Sequence, residues 1–154
     1  GAHVMQGYWE NPEATAKALR PGVYPWQHQL HTGDLFRTDE HGFLYFVGRM
    51  DDIIKTRAEK VSPKEVENVL YALPGIAEAA VLGVADPVLG QAIKAVVALA
   101  PGARLTDRDV RRHCARHLED FMVPKFVEFR DALPKTDTGK ISRRLIEEQL
   151  EAVL

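Results

Sequence analysis

Apolar residues fall into two periods along the second two-thirds of the chain. After Ser62 and Pro63, the positions Val66, Val69, Leu70 and Leu73 recur at helical spacing. This predicts a helix with Ser62 as cap, Pro63 in the first position and Glu65 closing a capping box, ended by Pro74-Gly75. Residues 77–84 and 92–100 are two short, almost unbroken apolar runs, read as strands joined by a turn-rich connection at residues 85–90. Thr106 caps a second helix that carries Val110, Cys114 and Leu118 on one face. A strand is predicted at residues 125–129, behind Pro124, and a last helix near Ser142 with Ile146, Leu150 and Val153 inward. The order of hairpin, helix, two strands, helix, strand, loop and helix predicts an α+β domain: a short mixed sheet flanked by helices.

The first third reads differently. Residues 35–37 and 43–47 are β-prone runs on either side of Asp39-Glu40-His41-Gly42, which is hairpin chemistry. Asn11 and Pro12 open a short helix that Arg20-Pro21-Gly22 stops. So few elements cannot bury Tyr8, Trp9, Tyr24 and Trp26 among themselves. These aromatics pack either on the rest of the chain or on a partner domain that the sequence does not contain. The expected division is residues 1–50, the tail end of a larger domain, and residues 51–154, a small complete one.

Composition narrows the function classes. The chain has 154 residues, and 20 Lys and Arg against 22 Asp and Glu leave a net charge of −2. That balance gives no electrostatic reason to expect nucleic acid or an anionic membrane. A single cysteine, Cys114, excludes an internal disulfide and fits a reducing compartment, so a cytoplasmic location is expected. No apolar run reaches the roughly 18 residues of a spanning helix.

Two stretches carry chemistry. Residues 32–55 read TGDLFRTDEHGFLYFVGRMDDIIK. Thr32-Gly33-Asp34 places a carboxylate on a tight turn, able to accept two hydrogen bonds side by side, as the paired hydroxyls of a ribose require. Residues 134–144 read PKTDTGKISRR, a polar loop that ends in a lysine beside a flexible glycine. Lys140 there is a compact cation with three donors, suited to phosphate or carboxylate oxygens. Both stretches resemble motifs of the adenylate-forming enzymes: TGD and GRxDDxIK in the first, PxTxTGKIxRxxL in the second. That superfamily, the ANL enzymes, includes AMP-forming acyl-CoA ligases, luciferases and the adenylation domains of peptide synthetases. The wording GYWENPEAT followed by LHTGD is similar to the end of the large N-terminal domain of the acyl-CoA ligases, so the missing-partner reading of residues 1–31 is preferred.

The resemblance implies roles residue by residue. Lys140 would be the catalytic cation of adenylation. Asp34 would hold the ribose hydroxyls of the nucleotide, and Arg49 would reach the ribose or a phosphate. Asp51 would be the hinge about which the small domain turns. Lys55, Ala58 and Glu59 would face the site in the second, thioester-forming orientation, on the coenzyme A side. The family writes IKxxGxxVxPxE where this chain has IKTRAEKVSPKE, so Ala58 stands in place of the usual glycine. A glycine there would allow φ > 0 or close approach of the pantetheine arm. The substrates implied are ATP with Mg²⁺, coenzyme A and a small carboxylic acid. The phosphate loop and acyl pocket of the family have no counterpart in the sequence, so the chain alone is expected to be inactive.

Other candidates have simpler accounts. His113 and His117 lie four apart on the predicted helix, without a third ligand in view, so no metal site is expected. Arg108, Arg111, Arg112 and Arg116 alternate with apolar positions and read as a solvated helix face that could touch coenzyme A phosphates. Three readings remain: part of an acyl- or aryl-CoA ligase; the same part of a peptide-synthetase adenylation enzyme, handing its product to a carrier protein; or a non-catalytic docking module. No carrier-like segment follows the last helix, which favours the ligase.

Overall fold

The computed structural model describes residues 3–152. The chain divides into two compact units, Gly1–Asp51 and Asp52–Leu154. Gly1, Ala2 and Val153 lie outside the described residues, and with them the inward placement expected of Val153.

The N-terminal unit is a set of short elements. Helix α1 (Pro12–Ala18) starts as predicted, with the Asn11 side chain accepting from the Ala14 N–H at 2.9 Å. It ends earlier than expected, because Leu19 already turns into strand β1 (Leu19–Pro21), paired antiparallel with β2 (His28–Leu30). Strands β3 (Asp34–Thr38) and β4 (Leu44–Arg49) form the predicted hairpin. Asp39 builds its turn: one carboxylate oxygen accepts the N–H groups of His41 and Phe43, and Gly42 sits at φ 85°.

The C-terminal unit is built on a five-stranded mixed sheet. Strands β5 (Ile54–Thr56) and β6 (Glu59–Val61) form a hairpin, and helix α2 (Pro63–Tyr71) follows. Strands β7 (Ile76–Asp86) and β8 (Gly90–Leu99) are long antiparallel partners. Helix α3 (Asp107–His117) then leads to β9 (Phe126–Arg130), which runs parallel to β8; helix α4 (Arg143–Glu151) closes the unit. The apolar runs of β7 and β8 are unbroken because both faces of the sheet are covered. Ala79, Val81, Ala95 and Val97 pack with Val66, Leu70, Val110 and Cys114 from α2 and α3. Their neighbours Ala80, Leu82 and Val96 face Leu133 and Ile146.

Two details differ from expectation. Ser62 precedes α2, but its side chain makes no cap hydrogen bond, so no box forms with Glu65. Instead the Glu65 N–H bonds the Ser62 carbonyl at 3.1 Å, and Pro63 presents no N–H to be capped. A reciprocal box forms at α3, where Thr106 and Asp109 each accept from the other's backbone N–H. An aspartate at that third position carries less of the capping-box signature than Glu or Gln.

Candidate functional site

Asp34, Arg49 and Asp51 share one pocket of the N-terminal unit, with a volume of about 530 Å³. Its shape follows from the β3–β4 hairpin. The ladder sets Asp34, first in β3, opposite Arg49, last in β4, so an acid and a guanidinium face each other at the open end. Arg49 Nη1 lies 3.4 Å from Asp34 Oδ1, and its Nη2 donates to the Thr32 carbonyl at 3.3 Å. The turn before them needs Gly33 at φ 77°; a Cβ there would also lie 3.3 Å from Arg49 Nη2. The Thr32 hydroxyl accepts the Asp34 N–H at 3.2 Å, so threonine rather than aspartate makes the turn's side-chain contact. The Asp34–Arg49 pair is half-exposed and contributes no more than about 1 kcal/mol to the fold. Lys17 of α1 and Arg20 of β1 line the same pocket beside His31 and give it further positive charge, which sequence spacing did not signal.

Lys55, Ala58 and Glu59 sit together on the β5–β6 hairpin of the C-terminal unit, all exposed. The connection between paired Thr56 and Glu59 is two residues, Arg57 at φ 51° and Ala58 at φ 66°. A two-residue hairpin of this twist calls for positive φ at both positions, which L-residues resist by about 1–2 kcal/mol each. The family glycine at position 58 therefore answers a backbone requirement that alanine meets only under strain. Three contacts brace the turn: Arg57 N–H to the Leu89 carbonyl at 3.1 Å, the Arg57 guanidinium to Asp120 at 2.9 Å, and Lys55 N–H to Gln91 Oε1 at 2.8 Å.

Lys140 stands elsewhere in the same unit, on the connection from β9 to α4. Hydrogen bonds brace the loop at both feet. Pro134 accepts from the Ser142 N–H at 2.9 Å, and Lys135 bridges to Ile141 across the base. Nearer the tip, Thr136 N–H donates to the Lys140 carbonyl at 2.8 Å, and the Thr136 hydroxyl takes the Lys140 N–H at 3.3 Å. Glu78 of β7 holds the incoming foot through the Lys135 ammonium at 2.5 Å and the Leu133 N–H at 2.9 Å. Those contacts, Lys135 first, hold the Glu78 carboxyl below the usual range. Among the described residues the Lys140 ammonium group has no hydrogen bond or ion pair, and its side chain is exposed. A fixed backbone thus presents a free cation.

The outgoing foot is held by residues for which no role was expected. Arg143, the first residue of α4, pairs with Asp52 and with Glu67, a carboxylate on the apolar side of α2. A charge on a buried helix face was the available signal, since such a group needs a partner; spacing could not say which. The histidines have local partners: His113 Nε2 meets the Val69 carbonyl at 3.0 Å and His117 Nδ1 the His113 carbonyl at 2.9 Å. Arg111 and Arg112 pair with Asp107 and Asp109 on α3.

Residues 65–140, which span α2 to Lys140, match the family described as AMP-binding enzyme C-terminal domain. The chain belongs to that family of C-terminal domains. It is 43% identical over 141 residues to a feruloyl-CoA synthase of Amycolatopsis sp., an alignment covering 92% of this chain and 28% of that protein. It is 43% identical over 152 residues to a long-chain-fatty-acid–CoA ligase of Bacillus subtilis (strain 168), covering 98% of this chain and 26% of the relative. The crystal structure of ATP-bound MatB from Rhodopseudomonas palustris matches with a TM-score of 0.87 at 33% identity, over 99% of this chain and 29% of that one. The chain thus spans little more than a quarter of the length of these AMP-binding relatives. No described helix is long and apolar enough to cross a membrane.

Proposed function

We propose that this chain is the catalytic lid of an ATP-dependent, AMP-forming acid:CoA ligase, with the rest of the site supplied by upstream sequence. In the first half-reaction a carboxylate oxygen of the acid attacks the α-phosphorus of ATP, the bond to the β-phosphate oxygen breaks, and acyl-AMP and pyrophosphate form. In the second, the thiolate of coenzyme A attacks the acyl carbonyl carbon, the bond to AMP breaks, and acyl-CoA and AMP leave. Mg²⁺ enters with the ATP phosphates. Lys140 would stabilise the charge that builds between carboxylate and α-phosphate, an effect worth roughly 10²–10³ in rate. Asp34 would accept the ribose hydroxyls, with Arg49 fixing the carboxylate's orientation and reaching the ribose or a phosphate. Asp51 would be the hinge, bringing Lys55, Ala58 and Glu59 toward coenzyme A for the second step. A soluble cytoplasmic enzyme is the setting this chemistry fits.

The observation that carries this reading is the unpaired Lys140 ammonium on a loop braced at both feet, inside a matched family segment. The test uses the longer protein and a panel of aromatic and fatty acids. Acid-dependent exchange of pyrophosphate into ATP, followed by thioester formation with coenzyme A, is the expected result. No exchange with any acid, or exchange with no transfer to coenzyme A, would overturn the assignment.

A further inference from the structure

We infer that Arg143 is a positioning residue for Lys140, tying the lysine loop to the linker at Asp52; this rests on the function proposed above. Arg143 lies three residues after Lys140 and divides its guanidinium between two carboxylates. Nη1 donates to Asp52 Oδ2 at 2.7 Å. Nε and Nη2 both donate to Glu67 Oε1, at 3.2 and 2.7 Å. The Glu67 side chain is 7% exposed, and the same oxygen accepts the Val81 N–H of β7 at 3.1 Å. An ionised carboxylate so enclosed needs its cation, since removing either partner strands a buried charge. Glu67 therefore fixes where the guanidinium sits, and the planar fork then leaves Nη1 aimed at Asp52.

Asp52 is the first residue of the C-terminal unit, next to the proposed hinge at Asp51. The chain from Lys140 to Arg143 is short, and its other foot is pinned to β7 through Glu78. The cation's backbone thus has a set distance from the residue where rotation would begin. A loop tied only to the sheet could lag behind when the linker turned. One tied to Asp52 as well moves with it as a rigid arm and reaches the phosphate in one orientation of the unit. Misplacing a catalytic group by about 1 Å can cost up to 10² in rate. The contact therefore acts on adenylation and leaves the thioester step, which uses the other orientation, untouched.

The test separates the half-reactions in the longer protein. Asp52→Asn weakens the linker contact and keeps the Arg143–Glu67 pair that the fold needs. Arg143→Lys keeps the charge but cannot span both carboxylates. Each is expected to slow acyl-adenylate formation about tenfold, with the KM for ATP within about twofold of the parent. Thioester formation from supplied acyl-adenylate should stay within about twofold, and Asp52→Asn should melt within a few degrees of the parent. Unchanged adenylation in Asp52→Asn, or a parallel fall of both half-reactions, would overturn the positioning role. Lys140→Ala is measured alongside. If it abolishes adenylation while Asp52→Asn is silent, only the positioning role falls; if it too is silent, the proposed function falls.

Discussion

In the C-terminal unit Val61, Val66, Leu70, Val81, Val96, Val97, Val110 and Ile146 are fully buried, while in the N-terminal unit Trp9 and Trp26 stand 90% and 78% exposed. Gly48 is the only buried residue among the described residues of the N-terminal unit. Both units have regular hydrogen-bonded strands, so backbone pairing is not what separates them. The separation lies in apolar cover. The C-terminal sheet has helices on both faces, whereas the β3–β4 hairpin shows Phe36, Phe43, Leu44, Tyr45 and Phe46 to solvent. Two-stranded hairpins without such cover are marginal in water. The lid role proposed above asks that the C-terminal unit hold its own shape through a turn, and its covered sheet fits that demand. The turn at Asp34 and Arg49, by contrast, is held by a few hydrogen bonds and one exposed ion pair.

Cutting the chain at Asp51 breaks the comparison most severely. Residues 52–154 should unfold cooperatively on heating, followed by circular dichroism, and residues 1–51 should show no cooperative transition. Equal cooperativity in both would remove the contrast. Asp34→Ala in the longer protein comes next. Losing a charged acceptor to ribose hydroxyls costs about 1.5–3 kcal/mol, or a ~10–150-fold fall in kcat/KM for ATP. Melting should barely change, because the exposed Arg49 contact carries little stability.

Ala58→Gly acts wholly within the C-terminal unit. It relieves a side chain at φ 66°, partly offset by the freedom that glycine adds to the unfolded chain. The net gain is about 0.5–1 kcal/mol, or a rise in Tm of ~2–6 °C for a unit of this size. Thioester formation should quicken as well; a lower Tm together with an unchanged thioester rate would contradict the account. The smallest effect is set by acid. The Lys125 ammonium at 2.5 Å and the N–H groups of Leu89 and Val88 hold the Asp86 carboxyl down at about 2. A carboxylate depressed in the folded state stabilises above its unfolded pKa of ~3.9, and that contribution is lost as pH falls toward 2. Tm measured from pH 5 to 2 should fall less steeply in Asp86→Asn than in the parent.

Most of the fold was legible because Val66, Leu70, Val110 and Cys114 lie at helical spacing and the β7 and β8 runs are apolar on both parities. The Asn11 and Thr106 caps and the Asp39 turn were legible for the same reason: their chemistry is local. Ser62 misled, since a cap-like residue before Pro63 makes no side-chain cap. The site divides along the same line. Asp34, Arg49 and Lys140 stand in short contiguous motifs; Asp52 and Arg143 stand in the same two stretches, but their meeting with each other and with Glu67 joins three distant segments that only folding brings together. The positive φ at Arg57 and Ala58 was half-visible: the family glycine pointed to position 58, and nothing pointed to Arg57.

The central claim is that a cation on a braced loop completes the adenylation centre and takes no part in the thioester step. Its most direct test is Lys140→Ala in the longer protein, with the two half-reactions timed separately. The account predicts a fall of roughly 10²–10³ in acyl-adenylate formation, with thioester formation from supplied acyl-adenylate within about threefold of the parent. Adenylation at the parental rate, or equal losses in both steps, would contradict it.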